Sequence, residues 1–365
     1  MNPKPNIVDL PVYKPGKPID EVKKELGLNE VIKLASNENP YGTSPKAKAA
    51  IIADLDNLYL YPDGSAAELT EALTAHLGVG KDQIIFGCGS DEIIALIARA
   101  FFVPGDETIM ADQTFSVYKS NADIEGAVTI EVPLVEGTHD LDGMLGAITD
   151  RTKVIWVCNP NNPTGTIVSG EALTTFLDAV PSQVMVVLDE AYYEYVTDLS
   201  YSNGIDLLGQ YPNLVVLRTF SKIYGLAALR IGYGVASPQI IRLINQVREP
   251  FNTSRLAQAG ALAALADQEY VEECRRLNSA GILQLQDDFK RLGLNAFPAH
   301  GNFIMVDVRK PAYDVFEALL RQGIIVRAGH KLYPTYIRVT VGSAEQNKAF
   351  IAALELVLRE QGVRA

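Results

Sequence analysis

The run Val184-Met185-Val186-Val187-Leu188-Asp189 is five apolar residues closed by a carboxylate. An unbroken apolar run rich in valine reads as a strand buried on both faces, the habit of a parallel sheet rather than of a half-exposed hairpin. The pattern recurs along the chain. Short β-rich runs at 83–86, 108–110, 128–132, 154–158, 214–217 and 231–235 alternate with helical patterns from about Pro45 onward. Strands interleaved with helices predict an α/β architecture whose sheet is mostly parallel and covered by helices.

At 365 residues the chain is long for one core, so two domains sharing a cleft are expected. Near Arg248-Glu249-Pro250 the pattern changes to an Ala- and Leu-rich helical stretch over about 254–292 with one break. Strands at 302–308 and 337–341 and helices at 313–322 and 344–360 follow, predicting a smaller α+β domain. Ahead of both, residues 7–27 read as an extended arm, because Pro11, Pro15 and Pro18 interrupt any helix before 19–26 turns amphipathic.

A net charge of −12 without a basic stripe argues against nucleic acid and anionic membrane partners. The start lacks the apolar run of a signal peptide and no stretch reaches the ~18 apolar residues of a membrane span, so a cytoplasmic enzyme is expected. Cys88, Cys158 and Cys274 form no CxxC and have no His at ligand spacing; each is expected to be a small buried hydrophobe, and no metal site is predicted.

Open α/β sheets bind ligands beyond the carboxyl ends of their strands, which gives weight to the polar residues found there. The 83–86 run leads into Gly87-Cys88-Gly89-Ser90-Asp91-Glu92, where glycines permit close approach and the first helical N–H groups face a phosphate. The same residues would also serve a plain βα turn, and a dinucleotide fingerprint would want Gly at Glu92. The 154–158 run leads into Asn159-Pro160-Asn161-Asn162-Pro163-Thr164-Gly165, a stiff loop with amides able to fix a polar ring substituent, or an ordinary turn. Asp189 calls for a cation, a protonated ring nitrogen or a helix to cap. Finally, 214–217 leads into Arg218-Thr219-Phe220-Ser221-Lys222, with Arg230 further on. A lysine that attacks an aldehyde must first lose its proton, which burial beside other cations promotes. Thr219, Ser221 and the Arg230 fork suit a phosphate dianion.

In this order the motifs Lys33-Leu34-Ala35-Ser36-Asn37-Glu38-Asn39-Pro40-Tyr41-Gly42, Tyr61-Pro62-Asp63-Gly64, Gly89-Ser90-Asp91-Glu92, Asn161-Asn162-Pro163-Thr164-Gly165, Asp189-Glu190-Ala191-Tyr192 and Thr219-Phe220-Ser221-Lys222 with Arg230 are specific in combination. The chain resembles the class II, fold-type-I aminotransferases over nearly its whole length, and within them the histidinol-phosphate aminotransferase family. Departures are local: Cys88, Gln113 and Ala228 stand where that family more often has a small or polar residue, Pro and Gly.

The resemblance implies a fold-type-I architecture: an arm at 1–40 serving the small domain and a dimer contact, a large cofactor-binding domain at 41–250 with a seven-stranded sheet, and a small substrate-gripping domain at 251–365. It implies pyridoxal 5′-phosphate carried by Lys222 as a Schiff base, Asp189 on the ring nitrogen, Asn162 and Tyr192 on the phenolic oxygen, and Phe115 on the ring face. Ser90 and Asp91 backbone groups, Thr219, Ser221 and Arg230 would hold the phosphate, with Tyr61 reaching in from the second subunit of a homodimer. Arg338 would grip the α-carboxylate of L-glutamate, Arg327 the phosphate of histidinol phosphate, and Tyr13 and Asn37 would close the site. Aromatic or broad-specificity aminotransferases and threonine-phosphate decarboxylases share the scaffold and are the competing readings.

Overall fold

The computed structural model describes residues 2–10, 12 and 17–360. Its strands are β1 (Ile32–Lys33), β2 (Ile84–Gly87), β3 (Glu107–Ala111), β4 (Val128–Val132), β5 (Thr152–Cys158), β6 (Met185–Asp189), β7 (Leu214–Thr219), β8 (Gly232–Ala236), β9 (Asn295–Ala296), β10 (Phe303–Asp307), β11 (Ile324–Ile325) and β12 (Tyr336–Thr340). Seven of them form one sheet in the order β2-β8-β7-β6-β5-β3-β4.

Side chains along the central strands alternate between two cores. Ile155, Val157, Val186, Leu188, Leu214 and Val216 enter one, whereas Val154, Trp156, Val187, Val215 and Leu217 enter the other. Both faces are therefore apolar, which is why these strands read as continuous hydrophobic runs. β4, β3, β5, β6 and β7 pair in parallel, but β8 runs antiparallel to both of its neighbours, β7 and β2. The reason lies in the connection: residues 220–231 carry only a short 3-10 turn at Ala227–Leu229 and no crossover helix, so the chain doubles back beside β7.

A second sheet, β12-β10-β9, is antiparallel and packs with Gln268–Arg291, Ala312–Arg321 and Ala344–Glu360 around Phe289, Val306, Leu319 and Phe350. The predicted long helix is divided, Arg255–Leu265 ending before Gln268–Arg291 begins. β1 pairs in parallel with β11, and the Thr340 N–H donates to the Leu34 carbonyl at 2.9 Å, which sews residues 32–34 to elements some 300 positions later. Such two-residue strands carry no periodic signal in a sequence. The helix at Ile19–Leu26 buries Val22 and ends on Gly27 in the left-handed conformation. No helix among the described residues is long and apolar enough to cross a membrane. Cys158 and Cys274 are buried as expected, but Cys88 is exposed, because it sits in the turn after β2 rather than in the strand.

One ion pair fixes the end of the sheet. Arg218 donates through Nε and Nη2 to Glu190 Oε2 at 3.0 and 2.7 Å, and neither side chain exceeds 3% exposure. Glu190 Oε1 accepts from Tyr201 Oη at 2.9 Å and from the Gly204 N–H at 2.8 Å, while the guanidinium lies 3.7 Å from the centre of the Tyr193 ring. Glu190 directly follows Asp189, and Arg218 directly precedes Thr219. The pair thus holds the carboxyl ends of β6 and β7 in register from one face and leaves Asp189 and Thr219 to the other.

Replacing one member of a satisfied buried pair strands the other charge. Arg218→Met is expected to destabilise the protein by about 3–5 kcal/mol, and Arg218→Met combined with Glu190→Leu by less than the single change, as read by thermal or urea melts.

Candidate active site

The carboxyl ends of β5, β6 and β7, the turn after β2 and the 327–338 segment converge on a cleft of about 450 Å³. That volume lies in the range of small-molecule sites.

One end is a cradle for an anion. The helix Ser90–Phe101 starts at the cleft with its N–H groups directed outward. Around it the backbone is crowded: a Cβ added to Gly232 would sit 2.6 Å from Ser90 N, and one added to Gly89, whose φ is +75°, would sit 2.5 Å from Arg230 Nη2. Thr219 Oγ1 accepts from the Ser221 N–H at 3.0 Å, and Ser221 Oγ accepts from Arg230 Nη1 at 3.2 Å. Arg230 itself has φ +52°, a left-handed conformation that turns its side chain back toward this loop. The Asp91 carboxylate accepts from Arg230 Nη2 at 3.2 Å; both side chains are about half exposed, so the pair adds little stability. Hydroxyls, free N–H groups and a guanidinium, brought close together by glycine backbone, fit a phosphate monoester.

Deeper in the cleft stands Asp189, 3% exposed. Burial pushes its carboxyl up to about 6, against hydrogen bonds from Tyr118 Oη at 2.6 Å and the Ala191 N–H at 3.1 Å. A carboxylate kept this dry is prepared for a cationic donor such as a protonated pyridine nitrogen. Phe115 lines the same cleft, and its ring meets Tyr118 edge-on at 5.6 Å, while Tyr118 stacks on Trp156 at 4.8 Å. Tyr118 escaped the sequence reading. Its spacing of three from Phe115 at the start of the helix Val117–Glu125 is the signal that could have found it.

Opposite lie Asn162 and Tyr192. Asn162 Oδ1 accepts from Arg338 Nη1 at 2.5 Å, and Tyr192 Oη accepts from Asn37 Nδ2 at 3.0 Å. Asn37 is fixed in turn: Thr340 Oγ1 donates to its Oδ1 at 3.0 Å and Asn302 Nδ2 to its carbonyl at 2.9 Å. Arg338 Nη2 reaches the Ala35 carbonyl at 2.7 Å. Residues before β2 and residues in β12 therefore complete a pocket whose floor belongs to β5 and β6.

Lys222 emerges from the turn after β7 into this space. Its ammonium lies 5.6 Å from the centre of the Tyr192 ring and meets no hydrogen-bond acceptor among the described residues. Burial, reinforced by the Arg338 and Arg230 cations and opposed by Asp91, lowers its pKa to about 8. A lysine in that range keeps a sizeable neutral fraction near pH 7–8, as an amine nucleophile requires.

Arg327 and Arg338 face one another in an antiparallel bridge, with N–H to carbonyl distances of 3.0 and 2.8 Å in the two directions. Directly opposed residues project their side chains from the same face of a ladder, so two guanidiniums enter the cleft together. Arg327 forms no salt bridge with a carboxylate among the described residues. The cleft is lined by five basic residues, Lys222, Arg230, Arg327, Lys331 and Arg338, and by two acids, Asp91 and Asp189. In a chain of net charge −12 this is a locally positive funnel for anionic ligands.

Two expected residues stand apart. Tyr61 does not line the cleft; it is 79% exposed and stacks on Phe251 at 4.8 Å. Tyr13 lies outside the described residues.

Residues 29–354 match the family Aminotransferase class I and II. A protein of Brevibacillus brevis named histidinol-phosphate aminotransferase is 56% identical over 98% of this chain and 99% of its own length. One of the same name from Bacillus subtilis is 52% identical over 98% of this chain and all of its own. Among solved structures, histidinol-phosphate aminotransferase from Sinorhizobium meliloti in complex with pyridoxal 5′-phosphate superposes with a TM-score of 0.91 at 28% identity, covering 98% of both chains. L-threonine-O-3-phosphate decarboxylase from Porphyromonas gingivalis, at 22% identity and a TM-score of 0.76, shares the fold alone. With this fold, this cleft and these relatives, the chain belongs to the class I and II aminotransferases.

Proposed function

We propose that the protein is a pyridoxal-phosphate-dependent histidinol-phosphate aminotransferase, exchanging an amino group between L-glutamate and imidazole-acetol phosphate. The observation that carries the substrate half is the Arg327–Arg338 bridge, which brings two guanidiniums into one cleft. One suits the α-carboxylate of glutamate, and both together suit a phosphorylated donor. The relatives of the same name, 52–56% identical over nearly the full chain, support the same reading.

When bound, pyridoxal 5′-phosphate supplies an aldehyde for a lysine amine and a ring that takes up the electron pair released at the substrate α-carbon. The cradle of Ser90, Thr219, Ser221 and Arg230 would fit its phosphate, because hydroxyls, a helix N-terminus and a guanidinium are gathered there, with glycines at 89 and 232 letting Arg230 and Ser90 pack close. Asp189 holds a proton on the ring nitrogen. Its low solvation makes that charge pair strong, and Tyr118 steadies the carboxylate that makes it. Asn162 and Tyr192 would hold the phenolic oxygen, and Phe115, which lines the same cleft, would pack against the ring. Lys222 would hold the cofactor through its amine and would supply a base able to take or give a proton at the substrate α-carbon. Asp91 balances the Arg230 charge until the phosphate arrives.

We assign residues 1–40 to an arm, 41–250 to the cofactor-binding domain and 251–365 to the substrate-gripping domain; the pairing of β1 with β11 supports a role for the arm in the third. A closed two-fold homodimer is the simplest assembly. Residues 52–61 expose Ile52, Leu58, Tyr59 and Tyr61 beside Phe251, an apolar surface suited to a second copy, and Tyr61 would serve the neighbour's cofactor phosphate from there.

With 2-oxoglutarate as acceptor, kcat/KM is expected to be highest for histidinol phosphate when phenylalanine, tyrosine and O-phosphothreonine are compared. A higher value for an aromatic donor, or carbon dioxide release from O-phosphothreonine, contradicts the reading. Arg327→Ala is expected to weaken transition-state binding of histidinol phosphate by on the order of 2–5 kcal/mol and that of phenylalanine by much less. In the cofactor-free protein, acylation of Lys222 followed by peptide mapping is expected to titrate near pH 8. Arg338→Ala should move that midpoint upward, since removing a cation favours the ammonium.

A further inference from the structure

The mouth of the cleft carries one group that the mechanism above leaves unused. His330 lines it together with Arg327, Lys331 and Arg338. The backbone throws the ring inward by a specific device. Gly329 adopts φ +89°, and a Cβ there would come within 2.4 Å of Tyr313 Oη. The Tyr333 N–H then closes the turn onto the His330 carbonyl at 3.0 Å. Nε2 of the imidazole is sealed from solvent without a partner, and the ring makes no side-chain hydrogen bond among the described residues. Nδ1 is therefore the nitrogen open to the cleft.

The ring is neutral. Burial first, then the Arg338 and Arg327 cations, lower its pKa to about 3. A sealed N–H without an acceptor is rarer than a sealed bare nitrogen, which favours the proton on Nδ1 once an acceptor is present. Beside it, Arg327 and Lys331 are cationic donors with no side-chain hydrogen bond or salt bridge among the described residues, Arg338 donates to Asn162 and the Ala35 carbonyl, and the two acids of the cleft are already engaged by Arg230 and Tyr118. Arg327, Lys331 and the open imidazole nitrogen together suit a ligand that brings several oxygens.

We infer that His330 is a specificity-determining residue whose Nδ1–H donates to the phosphate of the amino donor beside Arg327. The inference rests on the phosphorylated-donor reading above and names a contact that reading does not require. A neutral donor complements the guanidinium: it adds direction to the phosphate contact without adding charge to an already basic mouth.

The test compares histidinol phosphate with histidinol, the same donor without its phosphate, in the holoenzyme and in His330→Leu and His330→Asn. Asn places an amide N–H close to the position of imidazole Nδ1, whereas Leu fills the space without a donor. In His330→Leu the kcat/KM ratio of the phosphorylated to the unphosphorylated donor is expected to fall about tenfold or more, through KM rather than kcat, and His330→Asn should recover most of it. If both variants lose the ratio equally, or if His330→Leu keeps it within about twofold while Arg327→Ala loses it, the His330 contact is wrong and the substrate reading stands. If the unaltered enzyme shows no preference for the phosphorylated donor, the substrate reading itself fails and the inference with it.

Discussion

The buried pair between Glu190 and Arg218 is the constraint on which the site depends. Each residue is the chain neighbour of a residue that faces the cleft, Asp189 on β6 and Thr219 on β7, and the two-residue period of a strand sends neighbours to opposite faces. Locking Glu190 to Arg218 below the sheet therefore locks Asp189 and Thr219 above it, and Lys222 follows three residues after Thr219. Because both faces of these strands are apolar, their hydrophobic pattern specifies register weakly, and it is the polar ends that suffer from a slip of one residue, which would part Glu190 from Arg218 and turn Asp189 or Thr219 away from the cleft. Such a pair need not add net stability to be worth keeping, because the penalty for desolvating its members offsets much of their attraction. Its contribution is to specify one register at the place where the chemistry is assembled.

The cleft shows how one environment prepares two groups in opposite senses. Burial raises Asp189 to about 6 and lowers Lys222 to about 8, since in each case dry surroundings penalise the charged form. Both are brought toward neutral pH, the lysine ready to act as an amine and the carboxylate ready for a strong cationic partner. In the proposed function the 327–338 segment would add the specificity: an antiparallel bridge delivers two guanidiniums to the same face, and the turn at Gly329 brings His330 beside them. The floor of the cleft comes from the seven-stranded sheet, and its mouth from Arg338 of the three-stranded one and the segment bridged to it.

Much of this was legible from residues alone. The apolar runs of β5, β6 and β7 declared strands buried on both faces, and the polar residues at their ends line one cleft. The reversal of β8 was not legible, because direction depends on what the connecting loop does and not on the strand's own pattern. The two-residue strands β1 and β11 were invisible for lack of any period. Tyr118 was hidden because a buried tyrosine on a helix is ordinary core until its hydroxyl is seen 2.6 Å from Asp189. Cys88 was misread as buried because a turn residue between two glycines has no periodicity to reveal its exposure. Arg327 and Arg338 could be named as candidates, but their adjacency is a property of the bridge.

The central claim, that Lys222 is the amine that holds the cofactor, is tested most directly by borohydride reduction of the protein loaded with pyridoxal 5′-phosphate, followed by peptide mapping. The account predicts one phosphopyridoxyl group per chain, on Lys222, with the visible absorption lost on reduction and no adduct in Lys222→Ala. An adduct on another lysine, or a Lys222→Ala protein that keeps both a reducible chromophore and full turnover, would contradict it.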